Sequence, residues 1–206
     1  MTENKPIGRA RQGQGINRKI TVAIITVSDL AFEGIYKDES GPIVANVFPE
    51  DVYDIISKTI VADELNGIMN ELIRCSDEEH ADVIVTVGGS GCSSRDVTPD
   101  ATAKVIEKEV PGISDVIRIA NWQNYPKMIY SRGMSGVRND SLIVNLPGNP
   151  EGARIAIETI VGSIPNCIKT LQTQKPRKKR QWTGNAGSGR SASVGSSKTP
   201  RFRKPT

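Results

Sequence analysis

Four short runs in this 206-residue chain hold residue types that could manage phosphate or a cation. The first is Gly88-Gly89-Ser90-Gly91. Glycine has no Cβ, so backbone N–H groups can approach an anion closely, and a helix N-terminus beside them favours negative charge. The run reads as a phosphate cradle or as a plain strand-to-helix turn. It is not a GxxxxGK[ST] loop, which occurs nowhere in the chain, and it is not a GxGxxG dinucleotide fingerprint. Two acids come next. Asp63 alone could cap a following helix, and Asp96 alone could sit in a turn or pair with Arg95. Together, beside a phosphate-type loop, they suggest a Mg2+ site, because Mg2+ is typically held by one or two carboxylates plus substrate phosphates. Ser28-Asp29 and Pro147-Gly148-Asn149-Pro150 complete the set. The second of these is a turn that would hold rigid backbone near a ligand.

What these runs share is position: each follows a predicted strand. Ile20–Val27 (ITVAIITV) is β-branched and nearly all apolar, which suits a strand buried on both faces. Residues 54–61, 82–87 (DVIVTV) and Ser141–Leu146 (SLIVNL) read as further strands. Leu65, Ile68, Met69, Leu72 and Ile73 fall at helical spacing, with Asp63 as the expected N-cap. Other helices are expected over residues 40–48, from Thr98-Pro99 to about residue 109, over 113–121, and over 151–171 with a break at 162–165. Residues 127–138 suggest a hairpin or edge strand. Strands alternating with helices predict an α/β, three-layer sandwich around a mostly parallel sheet, where ligands bind beyond the C-terminal ends of the strands.

Composition excludes several classes. There are 27 Lys and Arg against 23 Asp and Glu, a formal +4, but the charge is segregated. Residues 1–19 hold five bases and one acid; residues 175–206 hold ten bases and no acid. The remaining 20–174 therefore carries twelve bases against 22 acids, a net −10. The expectation is an acidic domain at 20–174 between two disordered basic tails, the second rich in Gly and Ser. Three widely spaced Cys without a CxxC argue against a disulfide scaffold or structural zinc. The lone His80 excludes a multi-His metal cage and argues against a Ser–His triad. No apolar run reaches a membrane span and no secretory signal opens the chain, so a soluble, cytoplasmic protein is expected.

Six segments carry a resemblance: ITVSDLAFEGIYKDESGP, VADE, VTVGGSGCSSRDVTPDAT, PGISDVIR, YSRGMSGVRNDSLIVNLPGNP and SIPNCIKTL. Over about residues 20–172 the chain resembles the molybdopterin-binding (MogA/MoaB) family. The intact Arg95-Asp96-Val97-Thr98-Pro99-Asp100 is most similar to its adenylyltransferase branch, which includes MogA and the G domains of gephyrin and its plant counterpart. The resemblance implies transfer of AMP from Mg2+-ATP to the molybdopterin phosphate, with pyrophosphate released. It assigns Asp63 and Asp96 as catalytic and Mg2+-holding acids. Gly88, Gly89, Ser90 and Gly91 match the phosphate and pterin loop, and Ser28 and Asp29 the first-strand loop. Ser131, Arg132 and Gly136 match the SRG…G segment, and Pro147, Gly148 and Asn149 the nucleotide-side loop. Arg95 and Asp100 join the substrate-binding set. It further implies a homotrimer, with hexamers in some members, and hand-over to a molybdenum-insertion protein.

Three departures from the family pattern stand out. VGGSG replaces the usual TGGTG, Cys92-Ser93-Ser94 replaces apolar or Pro residues, and Leu30 replaces the usual Arg after Ser-Asp. Two other functions compete. A non-catalytic molybdopterin binder or scaffold of the MoaB type need not keep the acid pair. A nucleic-acid binder driven by the basic tail is not expected, because the domain is acidic and no base-reading motif is present.

Overall fold

A computed structural model describes residues 18–173. Six strands form one sheet in the order β2-β1-β3-β6-β5-β4. They are β1 (Ile20–Val27), β2 (Tyr53–Val61), β3 (Val83–Val87), β4 (Lys108–Glu109), β5 (Ser135–Arg138) and β6 (Ser141–Leu146). Strands β2, β1, β3 and β6 run parallel, and β5 and β4 close one edge antiparallel. The register aligns Val27 with Val61 and Thr26 with Val87, and Val87 with Leu146, so four strands end along one rim.

Seven helices cover the sheet: α1 (Asp29–Phe32), α2 (Ser40–Val47), α3 (Leu65–Ile73), α4 (Thr98–Val105), α5 (Pro111–Trp122), α6 (Pro150–Ile160) and α7 (Ile164–Thr173). The side-chain period of two divides each central strand between two cores. Val22, Ile24, Val83, Val85, Leu142 and Val144 pack with α2, α5, α6 and α7. Ala23, Ile25, Val27, Ile84 and Ile143 pack on the other face with α3 and α4. Near-continuous apolar runs follow, since β1, β3 and β6 have no wet face. The edge strand β2 instead alternates exposed positions with positions that, after buried Tyr53, are only partly buried. The expected three-layer α/β sandwich is the observed one.

Several local expectations change. Asp63 does not cap α3: the N-cap is Glu64, without a side-chain bond, and the Asp63 carboxylate turns to the β1 loop. Thr98 lies inside α4 and Val97 occupies its N-cap. That helix stops at Val105, short of residue 109, because Ile106 turns extended (ψ 150°) and Lys108–Glu109 pair with β5. Residues 127–138 divide into a 3-10 turn at Pro126–Tyr130 and strand β5, which is not at the edge because β4 pairs outside it. The break between α6 and α7 falls at residues 161–163, overlapping the expected 162–165, with Ile164 and Pro165 opening α7.

Arg18, assigned by composition to the first tail, is part of the domain. Its guanidinium grips Asp82 with two bonds of 2.6 and 2.8 Å. Residues 1–17 of the first tail and the whole second tail, 175–206, lie outside the described residues. Cys75, Cys92 and Cys167 are all free thiols. No helix among the described residues is long and apolar enough to cross a membrane.

Candidate functional site

The loop after β1 leads to α2 on one face, and the loop after β3 leads to α4 on the other. The crevice between these two strands is thus where a doubly wound sheet opens for a ligand. Gly88 begins it with φ +113°, and a Cβ there would stand 2.2 Å from the Val27 carbonyl oxygen. Only glycine lets the two strand ends approach this closely. Gly89 follows at φ +59°, so two consecutive residues lie in the region glycine favours. The Gly89 and Ser90 amides make no hydrogen bond to another described residue, which leaves them available to an anion.

A buried polar ladder holds this turn from below. The Thr98 hydroxyl donates to the Gly88 carbonyl (2.9 Å), and the Thr102 hydroxyl donates to the Thr98 carbonyl (2.9 Å). The Asn145 amide donates to both Thr102 and Thr86 hydroxyls, each at 2.9 Å. The Thr98 amide adds a bond to the Gly89 carbonyl at 3.0 Å. The Ser90 hydroxyl reaches the Leu146 carbonyl at 3.3 Å and ties the turn to the end of β6.

The two acids stand against different glycines of the turn. A Cβ on Gly89 would meet Asp63 Oδ1 at 3.0 Å, and one on Gly91 would meet Asp96 Oδ2 at 2.9 Å. Burial pushes the Asp63 carboxyl above its ordinary value. The Asp29 and Asp96 charges add to that, while the Asp29 amide and Arg95 oppose it. Asp96 is also penalised by burial, yet it is held below its ordinary value by bonds from Ser93 and Gly91 and by the charge of Arg132. No group of three or more His, Cys, Asp or Glu that could hold a metal ion occurs among the described residues. A pair of carboxylates beside a phosphate cradle fits Mg2+, which takes most of its ligands from phosphates and water.

A cavity of about 750 Å3 opens beside the turn. Of the residues singled out by sequence, Ser28, Asp63, Gly88, Gly89 and Gly148 line it. Gly148 packs closely, since a Cβ there would stand 3.1 Å from Gly88 Cα. The remaining ones lie around it or apart. Asn149 caps α6 through its side chain, accepting from the Gly152 amide at 2.9 Å, with Pro147 preceding in the same turn. Arg132 leans on the glycine turn through its amide, which donates to the Ser90 carbonyl at 2.9 Å, and its guanidinium pairs with Asp100. The Ser131 hydroxyl accepts from the Gly133 amide at 3.2 Å. Gly136 sits within the sheet, paired with Glu109 and Ile143, and does not line the cavity.

The structure adds cavity residues that sequence reasoning passed over: Thr26, Tyr36, Lys37, Asp38 and Ser40. Asp38 accepts from the Thr26 hydroxyl (2.7 Å) and from the Gly41 amide (3.0 Å), which holds the start of α2 against β1. The Ser40 hydroxyl donates to the Gly148 carbonyl at 2.9 Å and joins α2 to the PGNP turn. The signal for the last four lay in the run YKDESGP, which carries two acids, a base and two hydroxyls but follows no strand directly, whereas Thr26 lies within β1.

Comparisons with known proteins fit this geometry. Residues 23–166 match the family described as "Probable molybdopterin binding domain". A Helicobacter pylori protein named molybdopterin adenylyltransferase is 40% identical over 154 residues, covering 74% of this chain and 88% of that one. Among solved structures, the molybdopterin biosynthesis enzyme MoaB of Thermus thermophilus is 35% identical with a TM-score of 0.70, over 74% of this chain and 96% of that one. The molybdopterin biosynthesis Mog protein of Mycobacterium ulcerans is 34% identical with a TM-score of 0.69, over 75% and 99% respectively.

Proposed function

The chain belongs to the molybdopterin-binding domain family, matched over residues 23–166, and from that premise we propose that it transfers the adenylyl group of ATP to the terminal phosphate of molybdopterin. The observation that carries this reading is the glycine turn at the β1–β3 crevice with the Asp63 carboxylate against Gly89 and the Asp96 carboxylate against Gly91. An oxygen of the molybdopterin phosphate bonds to the α-phosphorus of ATP. The bond from that phosphorus to its bridging oxygen breaks, and pyrophosphate leaves. The nucleophile is already an anion, so no general base is required. The lone His80 lines a different cavity with Asp82 and Gln172, and the chemistry does not need it.

Positioning and charge neutralisation then supply the rate. The Gly89 and Ser90 amides bind phosphate oxygens, and Lys37 brings a cation to the cavity. Asp63 and Asp96 would hold Mg2+, which when bound offsets phosphate charge as pyrophosphate forms. A domain of net −10 over residues 20–174 makes such a cation necessary for a polyphosphate substrate.

The test is pyrophosphate release from ATP by the full chain, measured with and without molybdopterin and Mg2+, together with detection of adenylyl-molybdopterin. Protein that binds molybdopterin but forms no adenylate would overturn the proposal in favour of a non-catalytic binder. The same reading has the enzyme act in the cytoplasm as a homotrimer, or a hexamer, upstream of a molybdenum-insertion protein. The exposed apolar side chains of Val116, Ile119, Trp122, Ile129 and Tyr130 support burial between copies.

A further inference from the structure

Asp29 and Asp63 are joined by an exchange in which each backbone amide donates to the other's carboxylate. The Asp29 amide meets Asp63 Oδ2 at 2.9 Å, and the Asp63 amide meets Asp29 Oδ1 at 2.9 Å. The exchange bridges the loops after two adjacent parallel strands, β1 and β2. Asp29 spends its other oxygen on Arg95, whose guanidinium pairs with it directly. The second amino group of Arg95 lies 3.7 Å from Glu64, the residue after Asp63. Arg95 also immediately precedes Asp96 in the chain. One continuous path therefore runs from Asp63, against Gly89, through Asp29 and Arg95 to Asp96, against Gly91.

Neither Asp29 nor Arg95 lines the cavity, although Asp63 and Ser28 do. Asp29 brings a third negative charge beside Asp63 and Asp96, and the Arg95 guanidinium offsets it. We infer that Asp29 and Arg95 are positioning residues: they set the orientation and separation of the Asp63 and Asp96 carboxylates and do not contact the substrates. The inference rests on the reading of Asp63 and Asp96 as the metal-holding pair. Partners one step removed from metal ligands act in this way, and their loss costs about 10- to 100-fold in metal affinity or activity.

The experiment compares Asp29→Ala, Asp29→Asn, Arg95→Ala, Arg95→Lys and the double variant Asp29→Asn/Arg95→Ala. Steady-state kinetics are paired with calorimetric binding of the Mg2+ complex of α,β-methylene-ATP, which cannot release pyrophosphate. Asp29→Asn keeps an acceptor for the Asp63 amide, so it tests the position even if Asp29→Ala fails to fold. The expected result is a loss of about 10- to 100-fold in kcat and in affinity for the Mg2+ complex, with the KM for molybdopterin little changed. Arg95→Lys should recover part of it. The double variant should be no worse than the poorer single, because both act through one path. Losses that multiply in the double variant, or that appear only in the KM for molybdopterin, would show direct substrate contacts and overturn the inference. Asp63→Asn separates the two readings. If it remains active, the metal-pair assignment fails. If it is inactive while Asp29→Asn and Arg95→Ala match the unsubstituted protein, only the positioning role fails.

Discussion

The Asp63 and Asp96 carboxylates have opposite electrostatic histories, and this yields a prediction with opposite signs. Asp63 is held above the ordinary value of 3.8, chiefly by burial. A carboxyl raised on folding binds its proton more tightly in the folded chain, so its ionisation costs stability at every pH above the folded value. Asp96 is held below 3.8, because hydrogen bonds and Arg132 outweigh its burial. Its ionisation stabilises the fold above that value, and the gain is lost as pH falls through the depressed value. At pH 7, Asp63→Asn should therefore keep or raise the melting temperature, while Asp96→Asn should lower it. Both should cut turnover by about a hundredfold or more, the scale expected when charge stabilisation is removed from a reacting phosphate. Differential scanning calorimetry beside the pyrophosphate assay checks this. A parallel loss of melting temperature and activity in Asp63→Asn would mark that acid as structural. The sequence reading of Asp63 as a helix cap failed for a local reason: its carboxylate found an amide across the sheet, at Asp29, in place of one in its own helix.

At the scale of elements, glycine serves two different purposes. Gly88 lets β3 end against β1, and a side chain there would meet backbone at 2.2 Å with φ +113°. Gly136 lets β4 join the edge of the sheet, and a Cβ would meet Ile106 Cδ1 at 2.6 Å and the Lys108 carbonyl at 2.7 Å. Gly136→Ala should cost about 1–3 kcal/mol through overpacking, a melting shift of several degrees, while the remaining folded protein stays active. Gly88→Ala should abolish turnover in whatever folded protein is recovered. Activity per folded molecule, measured for both, distinguishes a glycine of the scaffold from one of the site. Sequence placed both in a substrate-binding set, because each matched a family motif. The β4–β5 pairing that constrains Gly136 joins residues nearly thirty positions apart, and no local pattern announces it.

At the scale of the whole molecule, one buried acid gathers both ends of the domain. Asp82 is 5% exposed and accepts bonds from Arg18, from the Thr21 amide and hydroxyl at the start of β1, and from Gln172 at the end of α7. Burial penalises its charge, but the bonds and charge of Arg18 and the bonds from Thr21 prevail and hold the carboxyl below 3.8. The sign matches that of Asp96: the clasp stabilises the fold above the ordinary value and weakens as pH falls through the depressed one. Thermal melts of the unsubstituted chain should drop faster between about pH 5 and pH 3 than those of Asp82→Asn, by the contribution of roughly one such group. Arg18→Ala should cost about 1–3 kcal/mol at pH 7, the range for a lost charged hydrogen bond. Parallel pH profiles for the two proteins would remove the clasp from the account. Amino-acid sequence alone determined the four parallel strands β1, β2, β3 and β6, their order of appearance, the glycine run, the two acids near it and the family. Each is written in a short window, as an apolar run, a run of glycines or a motif, and local chemistry suffices to read it. Tertiary structure alone decided which strand ends meet, that Asp63 pairs with Asp29, that Asp38 and Ser40 border the cavity, and that Arg18 belongs to the domain. Those facts depend on contacts between residues as many as 108 positions apart, made when the sheet aligns the ends of its parallel strands along its two rims.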